Sequence, residues 1–383
     1  MEPSPKLTIN NLPNELLLEI FDFYLHDISR NRKWREEYLW FNLSQVCKVW
    51  RTILFALSSH LDVCLFLKPK NHAHMKTLMS TNPLIPIFIE YRNTYSAVTA
   101  KDIGRLLSAL KRPYRICGID LTLYSTELDK FFKATKCPFP ALESLALRNR
   151  HDRVLEIPAT FLKGTNLHLR LRSLKLHPIS LTSISRLLSS ATALTDLSLK
   201  INSHNQVPDL LHLLSLLQGL PYLHRLHLDI CCFIDYLGQL TEPKESFPLA
   251  KLTSFDYYGR RAFLDILTMG FETVSLQDVD IYLYDMIQTL PPIPHLPQFI
   301  NDIREHYRAV QVVLRRDFFN FSLLAHVEDV DHHSPRFRLR ASRFRDTDIR
   351  DWIMEITSMF SAKLSTLEEL HIVFEVGQEE VIP

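Results

Sequence analysis

Few side chains in this sequence sit at spacings that could carry chemistry. His72-x-His74, His224-x-x-His227 and Asp329-x-Asp331-His332-His333 come nearest to a metal-ligating pattern, imidazole and carboxylate being common zinc ligands. The first and last fall in expected loops, and the middle pair straddles an expected strand. None has a CxxC partner, and with 17 histidines in the chain incidental or hydrogen-bonded surface histidine is the better reading. Only eight glycines occur, with no P-loop, GxGxxG, GxSxG or HExxH. We therefore expect no catalytic residue, no cofactor, no metal and no enzymatic activity. Short basic runs occur at Arg260-Arg261, Arg315-Arg316 and Arg336-x-Arg338-x-Arg340. On a strand the last set puts three arginines on one face, suited to an acidic or phosphorylated segment or simply to solvent.

The elements that position any site come from an internal repeat. LxxLxL occurs as Leu142-Leu145-Leu147, Leu171-Leu174-Leu176, Leu194-Leu197-Leu199 and Leu223-Leu226-Leu228. Looser copies are Ile116-Ile119-Leu121, Leu252-Phe255-Tyr257, Phe271-Val274-Leu276 and Leu367-Leu370-Ile372. From Leu142 to Leu252 the first positions step by 29, 23, 29 and 29 residues, near the leucine-rich-repeat period of about 20–29. Asn202 and Cys231 fall where that repeat favours Asn or Cys. Helical stretches lie between the strands, one running Asp209–Gln218 and stopping at Gly219, with Pro221 beyond. No single strand–helix unit can bury its own face, so the units must stack, with strands in a parallel concave sheet and helices outside.

Side chains alternate along a strand, so residues between the repeat leucines point away from the core. They include Ser144 and Ala146, Ser173 and Lys175, and Asp196, Ser198 and Lys200. Arg225, His227 and Asp229 follow, then Ser254, Asp256 and Tyr258, and then Tyr282 and Tyr284. Charge and aromatics increase along the row, and Tyr and Arg are frequent interface residues. We take Lys175, Lys200, Arg225, His227, Asp229, Asp256 and Tyr258 as the candidate face for a protein target. The alternative is a surface with no ligand.

Ahead of the repeats, Leu12 to Leu57 reads as a helical unit. No Gly or Pro interrupts Asn14 to Lys68. Pro13 stands at the start, where a missing N–H costs nothing, and Glu15 and Glu19 complement the helix dipole. Leu12, Leu16, Ile20 and Tyr24 recur at i, i+4. Leu39, Leu43, Val46, Trp50, Ile53 and Leu57 recur at alternating steps of 4 and 3, the mark of one helix with a wide apolar face. So short a unit cannot hide that surface alone.

The motif resembles an F-box: Leu12-Pro13 and Glu15-Leu16, Ile20-Phe21 one turn on, then Val46-Cys47-Lys48-Val49-Trp50-Arg51. The long spacer and the ending Leu57-Ser58-Ser59-His60-Leu61 resemble F-box proteins of mushroom-forming fungi. The resemblance implies a three-helix F-box, followed by an irregular leucine-rich-repeat solenoid, α+β overall. It further implies docking on a Skp-type adaptor through Leu12, Pro13, Leu16, Ile20, Val46, Cys47 and Trp50. The chain would then be the substrate receptor of an SCF-type cullin–RING ubiquitin ligase with an unidentified protein target. The rival is a non-catalytic scaffold whose N-terminal helices only cap the solenoid; a cap would hide Pro13, Ile20, Val46 and Trp50, whereas an F-box exposes them.

Composition sets outer bounds. At 383 residues, 46% hydrophobic and 23% charged, the chain reads as globular rather than disordered. Forty-four basic against 43 acidic residues give a net charge of +1, so no global field favours nucleic acid or an anionic membrane. MEPSPKLTINN has no apolar leader core, and no 18 apolar residues run together, which argues against secretion and membrane spanning. Six cysteines without a CxxC read as buried thiols in a reducing compartment, cytoplasmic or nuclear. The expected division is residues 1–68, the F-box with a first strand, and 69–383, the repeats. The proline-rich 291–297 stretch is read as a stiff connector or inserted loop.

Overall fold

A computed structural model describes residues 12–30, 43, 46–56, 63–66, 86–91, 99–135, 137–151, 153–162, 170–203, 209–232, 243, 245–272, 275–283, 295, 299, 309–315, 318–324, 337–342 and 369–374. Helices α1 (Asn14–Arg30) and α2 (Lys48–Ala56) lead into strands β1 (Val63–Phe66) and β2 (Ile87–Tyr91). Then come α3 (Ala100–Ala109), β3 (Ile116–Leu123), α4 (Ser125–Ala134), β4 (Ser144–Asn149) and β5 (Ser173–Ile179). The chain continues through α5 (Leu181–Ser190), β6 (Asp196–Ser203), α6 (Leu210–Gln218), β7 (Arg225–Cys232), β8 (Phe247–Pro248) and β9 (Ser254–Gly259). Helix α7 (Arg261–Gly270), β10 (Phe271–Glu272) and β11 (Asp278–Leu283) precede β12 (Ala309–Arg315), β13 (Phe318–Leu324), β14 (Phe337–Ser342) and β15 (Glu369–Phe374).

Among the described residues, 13 strands form one sheet in the order β1-β2-β3-β4-β5-β6-β7-β9-β11-β14-β13-β12-β15. Neighbours are parallel from β1 through β14. A recurring backbone bond fixes the repeat. One carbonyl accepts two successive N–H groups of the next unit: Glu143 from Arg172 and Ser173, Arg172 from Thr195 and Asp196, Thr195 from His224 and Arg225, His224 from Thr253 and Ser254, and Thr253 from Gln277 and Asp278, all between 2.8 and 3.0 Å. These acceptors advance with the repeat leucines. Leu145, Leu174, Leu197, Leu226 and Phe255 then fall side by side in register, fully buried. Each such leucine is worth about 1.5–3 kcal/mol on removal from water.

The ladder corrects one repeat assignment. Phe271-Val274-Leu276 is not a repeat strand, because Phe271 pairs with Phe247 in a separate two-stranded ladder. The copy is Leu276-Val279-Ile281, with Val279 and Ile281 beside Phe255 and Tyr257. At this end of the core Tyr257 replaces leucine. Its hydroxyl donates to the Arg260 carbonyl at 2.6 Å, and Gly259 makes room for it, since a Cβ there would strike the Tyr257 hydroxyl.

The C-terminal strands also depart from expectation. They extend the sheet, but not as successive parallel repeats: β13 is antiparallel to both β14 and β12, and β12 is parallel to β15. The connection between β12 and β13 spans only two residues, which permits a hairpin and excludes a crossover helix. The prolines at 83 and 86 read as marking an edge or an entry to a strand; β2 is interior, pairing with β1 and β3, and Pro86 stands at its entry, where no ladder N–H is needed.

Local signals explain the helix ends. A helix over 102–110 capped by Asp102 is what the sequence alone suggests; in the structure Thr99 caps α3, and Asp102 is its partner in a capping box. Thr99 Oγ1 accepts from the Asp102 N–H at 3.2 Å, and Asp102 Oδ2 accepts from the Thr99 N–H at 3.3 Å. Asp209 caps α6 through the His212 N–H at 2.9 Å. The cysteine expectation needs correction, since Cys137 is exposed and Cys47 and Cys117 are half-buried thiols. The stretches 74–81 and 346–360, which read as helices in the sequence, lie outside the described residues, as does the connector at 291–297 apart from His295.

Candidate interaction surfaces

Two surfaces of different chemistry emerge. The first belongs to the N-terminal helices. Leu17 and Phe21 form the inner face of α1, and Trp50 and Ile53 that of α2. Phe21 and Trp50 meet edge to face with centroids 4.9 Å apart, a favourable aromatic geometry. Leu16, Ile20 and Phe23 of α1 are left exposed, with Val46 and Val49 before and in α2. Ile20 is 47%, Val46 57% and Phe23 77% exposed.

Of the residues expected to face an adaptor, Pro13, Leu16, Ile20 and Val46 are exposed, and Leu12 and Cys47 are half-buried. Trp50 is the correction: at 8% exposed, it is the internal partner of Phe21. The single long helix expected through Val46 and Trp50 is in fact interrupted at Cys47. There the Cys47 Sγ accepts the Trp50 N–H at 3.4 Å and the Cys47 carbonyl accepts the Arg51 N–H at 3.1 Å, so Cys47 starts α2. The interruption re-phases the apolar stripe, turning Trp50 and Ile53 inward and leaving Val46 outside. Phe23 and Val49 are exposed apolar residues that the sequence reading did not single out; both lie off the i, i+4 stripe on which it relied.

The second surface is the helix-free face of the sheet. Burial alternates along β9 and β11, so every second side chain there meets solvent. Lys175 and Arg225 are exposed, and Lys200, His227, Asp229, Asp256 and Tyr258 are half-exposed. The structure brings the seven candidates together with Arg148, His177, Ser198 and Tyr282. Lys200 faces Asp229 at 3.9 Å, Arg225 pairs with Asp196, and His227 Nδ1 lies 3.5 Å from Asp256 Oδ2. Exposed pairs of this kind contribute at most about 1 kcal/mol each; their use is to set a charge pattern. An aromatic row crosses the strands: His177 to His227 at 6.2 Å, His227 to Tyr258 at 5.2 Å and Tyr258 to Tyr282 at 5.9 Å.

His177 was not foreseen, since it lies past Leu176, the last leucine of its repeat motif, two residues beyond Lys175. Its Nε2 is 2.8 Å from Ser198 Oγ. Burial first, then the charges of Arg148, His227, Lys200 and Lys175, pushes its pKa down to about 3. Of the other foreseen positions, Ala146 is buried and Tyr284 lies outside the described residues. Arg338 and Arg340 sit in β14 opposite Asp280 and Tyr282, while Arg336 lies outside. His224 does not join His227 in a metal pair, because its Nδ1 donates to the Tyr222 carbonyl at 2.7 Å. The other two histidine sets lie outside the described residues, and within those residues no three His, Cys, Asp or Glu side chains are placed to hold a metal ion. Within them, too, no helix is long and apolar enough to cross a membrane.

No curated protein matches the chain. Its N-terminal part does match a known family: residues 9–64 fit the model described as F-box-like, and F-box domains generally bind Skp-type adaptors of cullin–RING ligases, so the exposed apolar surface of α1 and α2 belongs to an F-box-like domain.

Proposed function

We propose that the chain is the substrate-receptor subunit of an SCF-type cullin–RING ubiquitin ligase. The observation that carries this is the exposed set Leu16, Ile20, Phe23, Val46 and Val49 inside the F-box-like segment. Five large apolar side chains exposed on and beside two helices are costly in water and suited to a partner. The Skp-type adaptor covers them, and the repeats, of the leucine-rich kind and in the style of fungal F-box proteins, hold a target protein on the helix-free face. The chain has no chemistry of its own. It contributes proximity, placing the target near a ubiquitin-loaded enzyme elsewhere in the assembly, in the cytoplasm or nucleus.

The competing reading, a scaffold whose helices merely cap the repeats, requires Pro13, Ile20 and Val46 to be hidden, and all three are exposed. Trp50, which it would also hide, is buried beside Phe21 within the helical unit itself. The deciding experiment is co-purification of the full-length chain with a purified Skp-type adaptor, beside the Leu16→Asp/Ile20→Asp variant. Capture by the native chain and loss in the variant support the receptor role. Equal capture of both, or of neither, overturns it.

A further inference from the structure

We propose that the rim of the sheet, where the strands begin, binds a short acidic stretch of a protein partner between Arg170 and Arg172 at one end and Lys251 at the other. The rim is distinct from both the helix-free face and the helical surface, so the inference goes beyond the receptor reading. Each strand is entered through two residues open to solvent that flank a buried repeat leucine. Arg170 and Arg172 flank Leu171 ahead of β5, and Ala193 and Thr195 flank Leu194 ahead of β6. Tyr222 and His224 flank Leu223 ahead of β7, and Lys251 and Thr253 flank Leu252 ahead of β9. The carbonyl ladder through Arg172, Thr195, His224 and Thr253 stacks these entries side by side. Lys251 Nζ accordingly lies 4.3 Å from the centre of the Tyr222 ring, a cation over an aromatic face.

Shape and charge together select the partner. At β6 the rim is low: Ala193 is short, and the Thr195 hydroxyl turns back to the Arg172 carbonyl at 3.0 Å and the Asp196 carboxylate at 2.7 Å. The result is a notch walled by Arg170 and Arg172 on one side and by Tyr222 and His224 on the other, two strand spacings or roughly 9–10 Å apart. Arg170, Arg172 and Lys251 are exposed, and among the described residues none of them has a carboxylate partner. Asp196, which opens β6, is taken by Arg225. A guanidinium suits a carboxylate bidentately. Acids bound the strip, since the exposed Glu143 holds the ladder position ahead of β4 and the exposed Asp278 opens β11. From β5 to β9 is three strand spacings, roughly 14 Å, or about four extended residues. On an extended segment residues i, i+2 and i+4 face the rim. Acidic residues at i and i+4 then meet the two cationic ends, and i+2 lies over the notch beside Tyr222. A longer polyanion would run onto Glu143 or Asp278, and three cations fall short of the roughly 6–10 phosphate contacts of a strong nucleic-acid binder.

The test measures retention of the full-length chain on three immobilised probes: a peptide carrying Glu-Ser-Tyr-Ser-Glu, its Gln-Ser-Tyr-Ser-Gln counterpart, and single-stranded oligothymidine. At about 0.05 M salt the glutamate peptide should retain the chain about tenfold better than the glutamine one, and the difference should close toward 0.5 M. It should vanish in Arg172→Gln/Lys251→Gln and persist in Lys101→Gln, an exposed cation on α3. Equal retention on the two peptides, survival of the preference in the double variant, or its loss in Lys101→Gln would each overturn the proposal. Stronger retention on oligothymidine, abolished by the double variant, would give the rim to nucleic acid and overturn it as well. Should the double variant fail to fold, Arg170→Gln alone, at an exposed position, must still weaken the preference. Adaptor capture, scored on the same preparations, should be unchanged by every rim substitution, so failure here leaves the receptor role standing and the converse leaves the rim.

Discussion

The two surfaces differ in what holds them and in what they offer. The helical face is mainly apolar: Leu16, Ile20, Phe23, Val46 and Val49 surround a small interior of Leu17, Phe21, Trp50 and Ile53. The sheet face is charged and aromatic over a continuous core of repeat leucines. Binding at the first should come from apolar burial and respond little to salt. Binding at the second should weaken as salt rises, because its exposed charges are screened within about 8–10 Å. One chain thus presents a surface suited to a constant partner and another whose specificity resides in charge pattern.

The comparison breaks most severely through the small helical core. Phe21→Ala removes the ring facing Trp50 and should cost about 3–5 kcal/mol of helical-unit stability, read as a lower first transition in urea with adaptor capture lost. If capture survives, the Phe21–Trp50 contact does not shape that surface. On the sheet side, Gly259→Ala forces a methyl onto the Tyr257 hydroxyl and should cost about 1–3 kcal/mol by thermal denaturation. Combining it with Tyr257→Leu should recover part of that loss, and no recovery would show that the glycine acts through something other than this contact.

Changes confined to the surface sharpen the contrast. Ile20→Ala with Val46→Ala should leave stability within about 0.5 kcal/mol while weakening adaptor binding at least about tenfold by calorimetry, some 1.4 kcal/mol. Raising salt from about 0.05 to 0.5 M should barely alter that adaptor affinity; a steep decline would mean the helical face works through charge. His177 supplies a pH effect. Its pKa is lowered on folding from the ordinary 6.5 to about 3, so its stabilising contribution is present above pH 6.5 and is lost as pH falls from there toward 3. His177→Gln should flatten that part of the stability profile, and an unchanged slope would show that His177 is not held neutral. The smallest effect expected is Thr99→Ala, about 1 kcal/mol from loss of the α3 cap, read as a modest fall in melting temperature.

Much of this was legible because repeats and caps are local. Leu145, Leu174, Leu197 and Leu226 announced parallel neighbours through their spacing alone, and Asp209 with Gly219 bounded α6. The reading failed where a residue's role depends on something distant or on subtle phase. Trp50 fits an exposed stripe on a straight helix, yet a single non-helical residue at Cys47 turns it inward. Phe271-Val274-Leu276 has the right residue types, yet Phe271 pairs with Phe247 rather than with the sheet, and only the carbonyl ladder through Thr253 places Leu276 correctly.

The sequence by itself determined the strand–helix rhythm, the leucine core and the F-box-like segment, because each is written in short-range spacing that sterics and burial must obey. The tertiary structure decided what spacing cannot encode. It decided which apolar side chains of α1 and α2 face outward and that the last strands close by antiparallel pairing. It also brought Arg148, Lys175, His177 and Ser198, spread over three strands, onto one face. Those outcomes depend on the register between strands and the phase between helices, which are settled only when distant segments pack against one another.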